Sequence, residues 1–396
     1  METTENTGAV VGLLTAASLA GGASKYAIGP LIPAITTSFD VTTAALGVAL
    51  SGMWFAFAIV QVVGGLLADV LGEKLVLLLA LSLIFVGSGS LFAAPTFPLF
   101  FGALLVLGAG TGTLLISSAT YIGKTTETMG GKLGLITMGS SAAGLLAPLV
   151  AVSLGAPYGW RVVMLGGAAL AVPIFVGIYT QVESMPDRGT TDQRSDIRTG
   201  FARVLNGRVL IMVLLGSLLY FAFQALASFF PTLLLETTDI APEAAAVALS
   251  AFFALSALTK PLFGRLSESV GRTPVLSGCL ALSLTGFALL YRSTQPPVVA
   301  VGVAFVGIGF GWGPTLTAKL LELFGRDSRG TGYGIVNTLA NLLGSAGSAV
   351  TGFVAVRYGW HQTTGLLAAT LICALGLLLV ESRLSAANRF VPFDLH

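Results

Sequence analysis

The chain has 396 residues, 55% of them hydrophobic and 10% charged, with a net charge of +2 from 20 basic and 18 acidic side chains and a mean hydropathy of +0.89. Soluble domains carry about 25% charged residues, so composition excludes a water-soluble globular protein, and a balanced charge without a basic run excludes a nucleic-acid binder. Cys279 and Cys373 lie in apolar runs without a CxxC spacing, and His361 and His396 are too few for a metal site, so neither a disulfide framework, a metal nor a cofactor is expected.

Apolar runs of roughly 20 residues recur along the chain, each long enough to cross a hydrocarbon core of about 30 Å. A β-barrel would show segments of about 10 residues with alternating polarity, so the predicted fold class is an all-α membrane protein. Twelve transmembrane helices are predicted, starting near residues 10, 43, 75, 98, 131, 162, 209, 244, 274, 298, 331 and 362. The first follows METTENTG, which lacks a basic n-region, and therefore reads as a spanning helix and not as a cleaved signal. Lys25 stands about 15 residues into this span and eight before Pro33, too far from either face to snorkel fully. Ser18, Gly21, Gly22 and Gly29 share its helix face, so it is expected to point into a water-filled cavity. An ionisable group at the bilayer centre costs about 2.5–3.5 kcal/mol, which makes it a functional candidate. No carboxylate is predicted at the middle of any span, so the Lys25 ammonium is expected to be hydrated, bonded to backbone or deprotonated.

The loop after the second span reads GLLADVLGEK, from Gly65 to Lys74. The fourth span contains the Gly108 to Gly112 GxxxG pair, a sign of close helix packing. It ends in SATYIGKT, which departs from a phosphate-binding loop at Ser118 and follows a helix where that loop needs a strand. The fifth carries Thr137, Ser141 and Pro148. Residues Glu183 to Arg208 hold the densest charge and read as a linker. In the seventh span Ser217, Tyr220, Gln224 and Ser228 form a polar stripe. Lys260 in the eighth span lies five residues before Arg265, and Lys319 in the tenth seven before Arg326, so both are expected to snorkel to the nearby interface, with Glu322 placed to pair with Lys319. Trp312, Thr315 and Lys319 share a face of the tenth span, and Asn337 and Asn341 sit one turn apart on the eleventh.

An even number of spans puts both ends on one side. Three basic residues (Arg161, Arg292, Arg357) then fall in the opposite loops and three lysines inside spans, leaving 14 of 20 on the side of the termini. The positive-inside rule makes that side the cytoplasm of a multi-pass plasma-membrane protein.

The two halves repeat. Tyr158-Gly159-Trp160 recurs as Tyr358-Gly359-Trp360, and Gly65, Asp69 and Gly72 match Gly264, Glu268 and Gly271 in the loop GRLSESVGR; Gly108 and Gly112 match Gly307 and Gly311, and Lys25 matches Gln224. The division is a six-helix half over 1–183, a linker over 184–208 and a second half with a short tail over 209–396.

The two loops, in their two places in a twelve-span chain, resemble the repeated signature of the major facilitator superfamily. The resemblance implies two pseudo-symmetric six-helix halves that move by alternating access, with substrate held between them, and no enzyme activity. It implies gating roles for Asp69, Gly72, Glu268, Gly271 and Arg272, although Val70 and Glu73 stand where basic residues are usual. It also places spans one, four, seven and ten around the cavity, which makes Lys25, Tyr220, Gln224, Trp312 and Thr315 lining candidates, with Asn337 and Asn341 either beside them or as interhelical glue. A lone deep positive charge points to a small organic anion as substrate, moved with a coupled proton or against a counter-anion. The expected partners are thus that small molecule and the lipid bilayer, with the carrier a monomer. An efflux protein for hydrophobic compounds is the alternative, weakened by Leu104 where proton-coupled exporters of this kind carry arginine. A transporter-fold sensor or scaffold is a third reading, for which the short loops offer no docking module.

Overall fold

The computed structural model describes residues 2–125, 129–182, 207–324 and 329–389. The 183–206 stretch, which holds most of the predicted linker, lies outside them. The described residues form α1 (Glu2–Phe39), α2 (Thr43–Leu71), α3 (Glu73–Ala93), α4 (Phe97–Thr125), α5 (Met129–Tyr158), α6 (Trp160–Gln181), α7 (Gly207–Thr237), α8 (Pro242–Ser269) and α9 (Arg272–Arg292). The tenth span is α10 (Pro296–Gly309), a 3-10 turn (Phe310–Trp312) and α11 (Gly313–Leu321). The eleventh is α12 (Arg329–Gly344) and α13 (Gly347–Tyr358), and the twelfth is α14 (Trp360–Arg389).

Eleven helices begin within two residues of the predicted starts, because polar or helix-starting groups precede each apolar run. Thr42 caps α2 by accepting the Ala45 N–H at 3.2 Å, and Pro242 and Pro296 open α8 and α10 where the first N–H has no helical partner. The exception is α1, which begins at Glu2 and not near residue 10. Among the described residues, eleven spans are long and apolar enough by composition to cross a membrane, and α1 is not one of them.

The repeat is written in the backbone. Gly72 and Gly271, between α2 and α3 and between α8 and α9, adopt φ of +80° and +103°, and Gly159 and Gly359 adopt +82° and +93° at the other repeated turn. A side chain at such φ is strained, so the chain can reverse within one residue only at these glycines. Helix packing repeats too. Gly108 and Gly112 set α4 against the backbone of Met53 and Phe57 on α2, while Gly307 and Gly311 set the tenth span against Phe252 and Thr259 on α8.

Contacts between the halves lie away from the chain ends. Gly47 of α2 packs on Ser348 and Gly352, the Ser51 hydroxyl accepts the Ala349 N–H at 2.7 Å, and Gly29 of α1 packs on the Ser228 carbonyl. On α5, Gly144 packs on Phe253 but Thr137, two turns nearer the termini, is exposed. The halves therefore meet on the far side and part on the side of the chain ends.

Candidate binding site between the halves

Lys25 is 7% exposed, and its ammonium is ringed by aromatic faces. Nζ lies 4.8 Å from the Tyr26 ring centroid, 4.7 Å from Trp54 and 5.0 Å from Phe57. Among the described residues no carboxylate comes within 4 Å of it. The close approach of α4 at Gly108 and Gly112 holds the stretch of α2 that presents two of these rings. A desolvated cation over a ring gains about 2 kcal/mol, so the cage offsets much of the cost of placing charge at this depth. These π-faces were not among the means expected from the sequence. Trp54 also meets Phe223 of the other half at 6.2 Å, and Tyr26 meets Phe253 at 4.6 Å, so the cage sits on the seam between halves.

The second half brings four predicted residues together. Tyr220 donates its hydroxyl to Asn337 Oδ1 at 2.7 Å, packs edge-on against Trp312 at 5.6 Å, and Asn341 Nδ2 donates to the Asn337 carbonyl at 3.0 Å. Trp312 is presented by the 3-10 turn. Pro314 has no N–H for the Phe310 carbonyl four residues back, and the Ser256 hydroxyl donates to that carbonyl at 3.0 Å instead. Thr315 points away from this group: it is fully buried and donates to the Phe263 carbonyl at 3.2 Å, tying α11 to α8. Gln224 is 1% exposed, and neither end of its amide has a partner; the buried indole N–H groups of Trp54 and Trp312 are likewise unpaired. Buried polar groups are normally bonded, so these three side chains hold unused hydrogen-bonding capacity.

Of the other two lysines, Lys319 reaches the helix ends on the side of the chain termini, where it lines a cleft with Gly271 and Arg272. Lys319 is buried in an ion pair with Glu381 Oε2 and donates to Thr273 at 3.0 Å. Glu381, fully buried in α14, also accepts from Arg208 Nε at 2.9 Å and Ser385 at 2.7 Å. The expected partner of Lys319, Glu322, pairs instead with Arg272 Nε at 3.2 Å, because the loop after α8 folds back under the tenth span. Lys260 is half-buried, and its Cε lies beside Gly313 at the break in the tenth span.

Of the predicted gating residues, Gly271 starts the turn, and Arg272 bonds both Glu322 and the Ser267 hydroxyl. Glu268 is exposed and has no ion pair among the described residues. With Arg208, Lys319 and Glu322 these groups line a cleft of about 680 Å³. In the first half the Asp69 side chain lies outside the described residues. Gly72 makes the equivalent turn, and buried Glu73, at the position matching Arg272, pairs with Lys124 at the end of α4. The two halves thus carry equivalent ion pairs of opposite polarity. Glu381 and the aromatic residues escaped the sequence because Glu381 reads as tail beyond an apolar run and rings inside such a run carry no pattern of their own.

The family model described as Major Facilitator Superfamily matches residues 14–237 and 212–392. The chain is 26% identical over 393 residues to a chloramphenicol resistance protein of Streptomyces lividans, covering 96% of this chain and 98% of that one. It is 27% identical over 330 residues to a gentisate transporter of Corynebacterium glutamicum, covering 77% and 72%. Among solved structures it is similar to a bacterial homolog of the human lysosomal transporter Spinster, inward-facing and unoccupied, with a TM-score of 0.82, 15% identity and coverage of 97% and 98%.

Proposed function

The chain belongs to the major facilitator superfamily, and from that premise we propose that this secondary transporter carries a small organic anion between its two halves by alternating access. One observation carries the reading: the Lys25 ammonium, held at membrane depth by Tyr26, Trp54 and Phe57 without a carboxylate within 4 Å among the described residues. A fixed positive charge of this kind attracts an anion and repels a cation. Tyr220, Gln224, Trp312, Asn337 and Asn341 offer hydrogen bonds across the seam, and the gentisate transporter among the relatives is consistent with an anionic cargo. Thr315 serves to fix the break that presents Trp312. A coupled proton or a counter-anion completes the cycle, and the working unit is a monomer.

The halves span 1–183 and 209–396, joined by 184–208. By the positive-inside rule the side of the termini is the cytoplasm of the cell membrane, so the opening faces inward. Gly72, Gly271 and Arg272 form the turns and the pair that gate it, with Asp69 and Glu268 beside them.

A second reading has its own support: the chloramphenicol resistance relative spans nearly the whole chain, and aromatic walls suit a neutral, ring-bearing drug. Binding of labelled benzoate and of chloramphenicol to purified protein separates the two. The anion reading expects benzoate binding that Lys25→Ala weakens at least tenfold while the variant keeps its melting temperature. Chloramphenicol binding that survives Lys25→Ala, with no benzoate binding by the unaltered protein, would establish the drug reading in its place.

A further inference from the structure

Lys260 is a second cation at membrane depth, and its surroundings differ from those of Lys319. Lys319 has Glu381. Lys260 has no carboxylate within 4 Å among the described residues, and its Cε lies beside Gly313. It follows Phe253 by two helical turns and so shares its face of α8, the face on which Phe253 packs against Tyr26 and Gly144 of the other half. The Tyr26 hydroxyl meets Ser140 of α5 at 3.3 Å. Tyr26 thus carries Lys25 over its ring at 4.8 Å and packs on the face of α8 that Lys260 shares with Phe253.

Each half thus contributes one lysine with no carboxylate within 4 Å among the described residues, on elements joined by the Tyr26–Phe253 contact. We propose that Lys25 and Lys260 form a single two-point anion site built across the halves, and that its occupant is needed for the side of the chain ends to close. This rests on the organic-anion reading and extends it. Lys260 stands just on the open side of the Phe253–Gly144 contact, so closure of that side carries it toward α1 and α5. Two like charges approaching in a poorly solvated space repel. An anion between them removes the repulsion, and an empty carrier therefore closes slowly. The carrier is accordingly an exchanger.

The test uses purified full-length protein, labelled benzoate as probe, and the variants Lys25→Ala, Lys260→Ala, Lys260→Gln and Lys260→Arg. Lys260→Ala and Lys260→Gln should each weaken benzoate binding at least tenfold, with ligand-free melting temperature unchanged or raised because an uncompensated charge is gone. Lys260→Arg should bind within a few-fold of the unaltered protein. In proteoliposomes loaded with labelled benzoate, release should be at least tenfold faster with benzoate outside than with buffer alone, and Lys260→Gln should lose that difference. Normal binding by Lys260→Gln, with binding lost in Lys25→Ala, overturns the two-point site and leaves the anion reading standing. Release at equal rates with and without outside benzoate overturns the closure step. Absence of benzoate binding by the unaltered protein removes the anion reading itself.

Discussion

Glu381→Gln tests the charge cluster that ties the second half together. The carboxylate is fully buried and takes Lys319 on one oxygen and Arg208 and Ser385 on the other. Gln has the same shape but no charge, and its amide nitrogen turns one acceptor into a donor facing a cation. Removing one partner of a buried ion pair costs about 3–5 kcal/mol. Here Arg208 is 40% exposed and regains water, whereas the Lys319 side chain is 10% exposed and keeps only Thr273. The loss thus falls at the lower end, about 3 kcal/mol, most of it from Lys319. At roughly 2–4 °C per kcal/mol for a domain of this size, the midpoint of thermal unfolding in detergent should fall by roughly 6–12 °C. Removing the stranded cation as well, in Glu381→Gln with Lys319→Met, should recover more than half of the loss, since neutral packing often matches a buried pair. A single variant that melts within about 1 °C of the unaltered protein, or a double variant worse than the single, would refute the assignment of Glu381 as the counter-charge of Lys319.

Arg272→Gln breaks the bonds to Glu322 and Ser267 and should change transport rate at least severalfold, while Glu268→Gln, which breaks no ion pair among the described residues, should change it less; side-by-side uptake assays in proteoliposomes check the order. Glu73→Lys should lower thermal stability, and adding Lys124→Glu should restore it, because the swap recreates the pair with the polarity that the second half already uses. Gly271→Ala forces a side chain to φ +103° and should cost about 1–3 kcal/mol in unfolding measurements with little effect on benzoate affinity. Tyr220→Phe keeps the ring against Trp312 but strands Asn337, and should weaken ligand binding severalfold with a stability loss of about 1 kcal/mol.

The twelve spans and the repeat were legible in the chain because both are local properties. A span is a run of apolar residues bounded by a cap, and a repeated turn needs a glycine wherever the backbone takes positive φ, as at Gly72 and Gly271. Lys25 stood out for the same reason, as a charge in an apolar run. Its surroundings did not, since Tyr26, Trp54 and Phe57 belong to two helices and become a cage only when α4, through Gly108 and Gly112, holds α2 in place. Charge pairing escaped in the same way. Spacing along one helix favoured Glu322 for Lys319, but the folded half sets Glu381 of α14 against it and Arg272 of the loop against Glu322. Low dielectric makes a buried charge depend on whichever partner comes within a few ångströms, and in a bundle of helices that partner is chosen by packing across the bundle and not by distance along the chain.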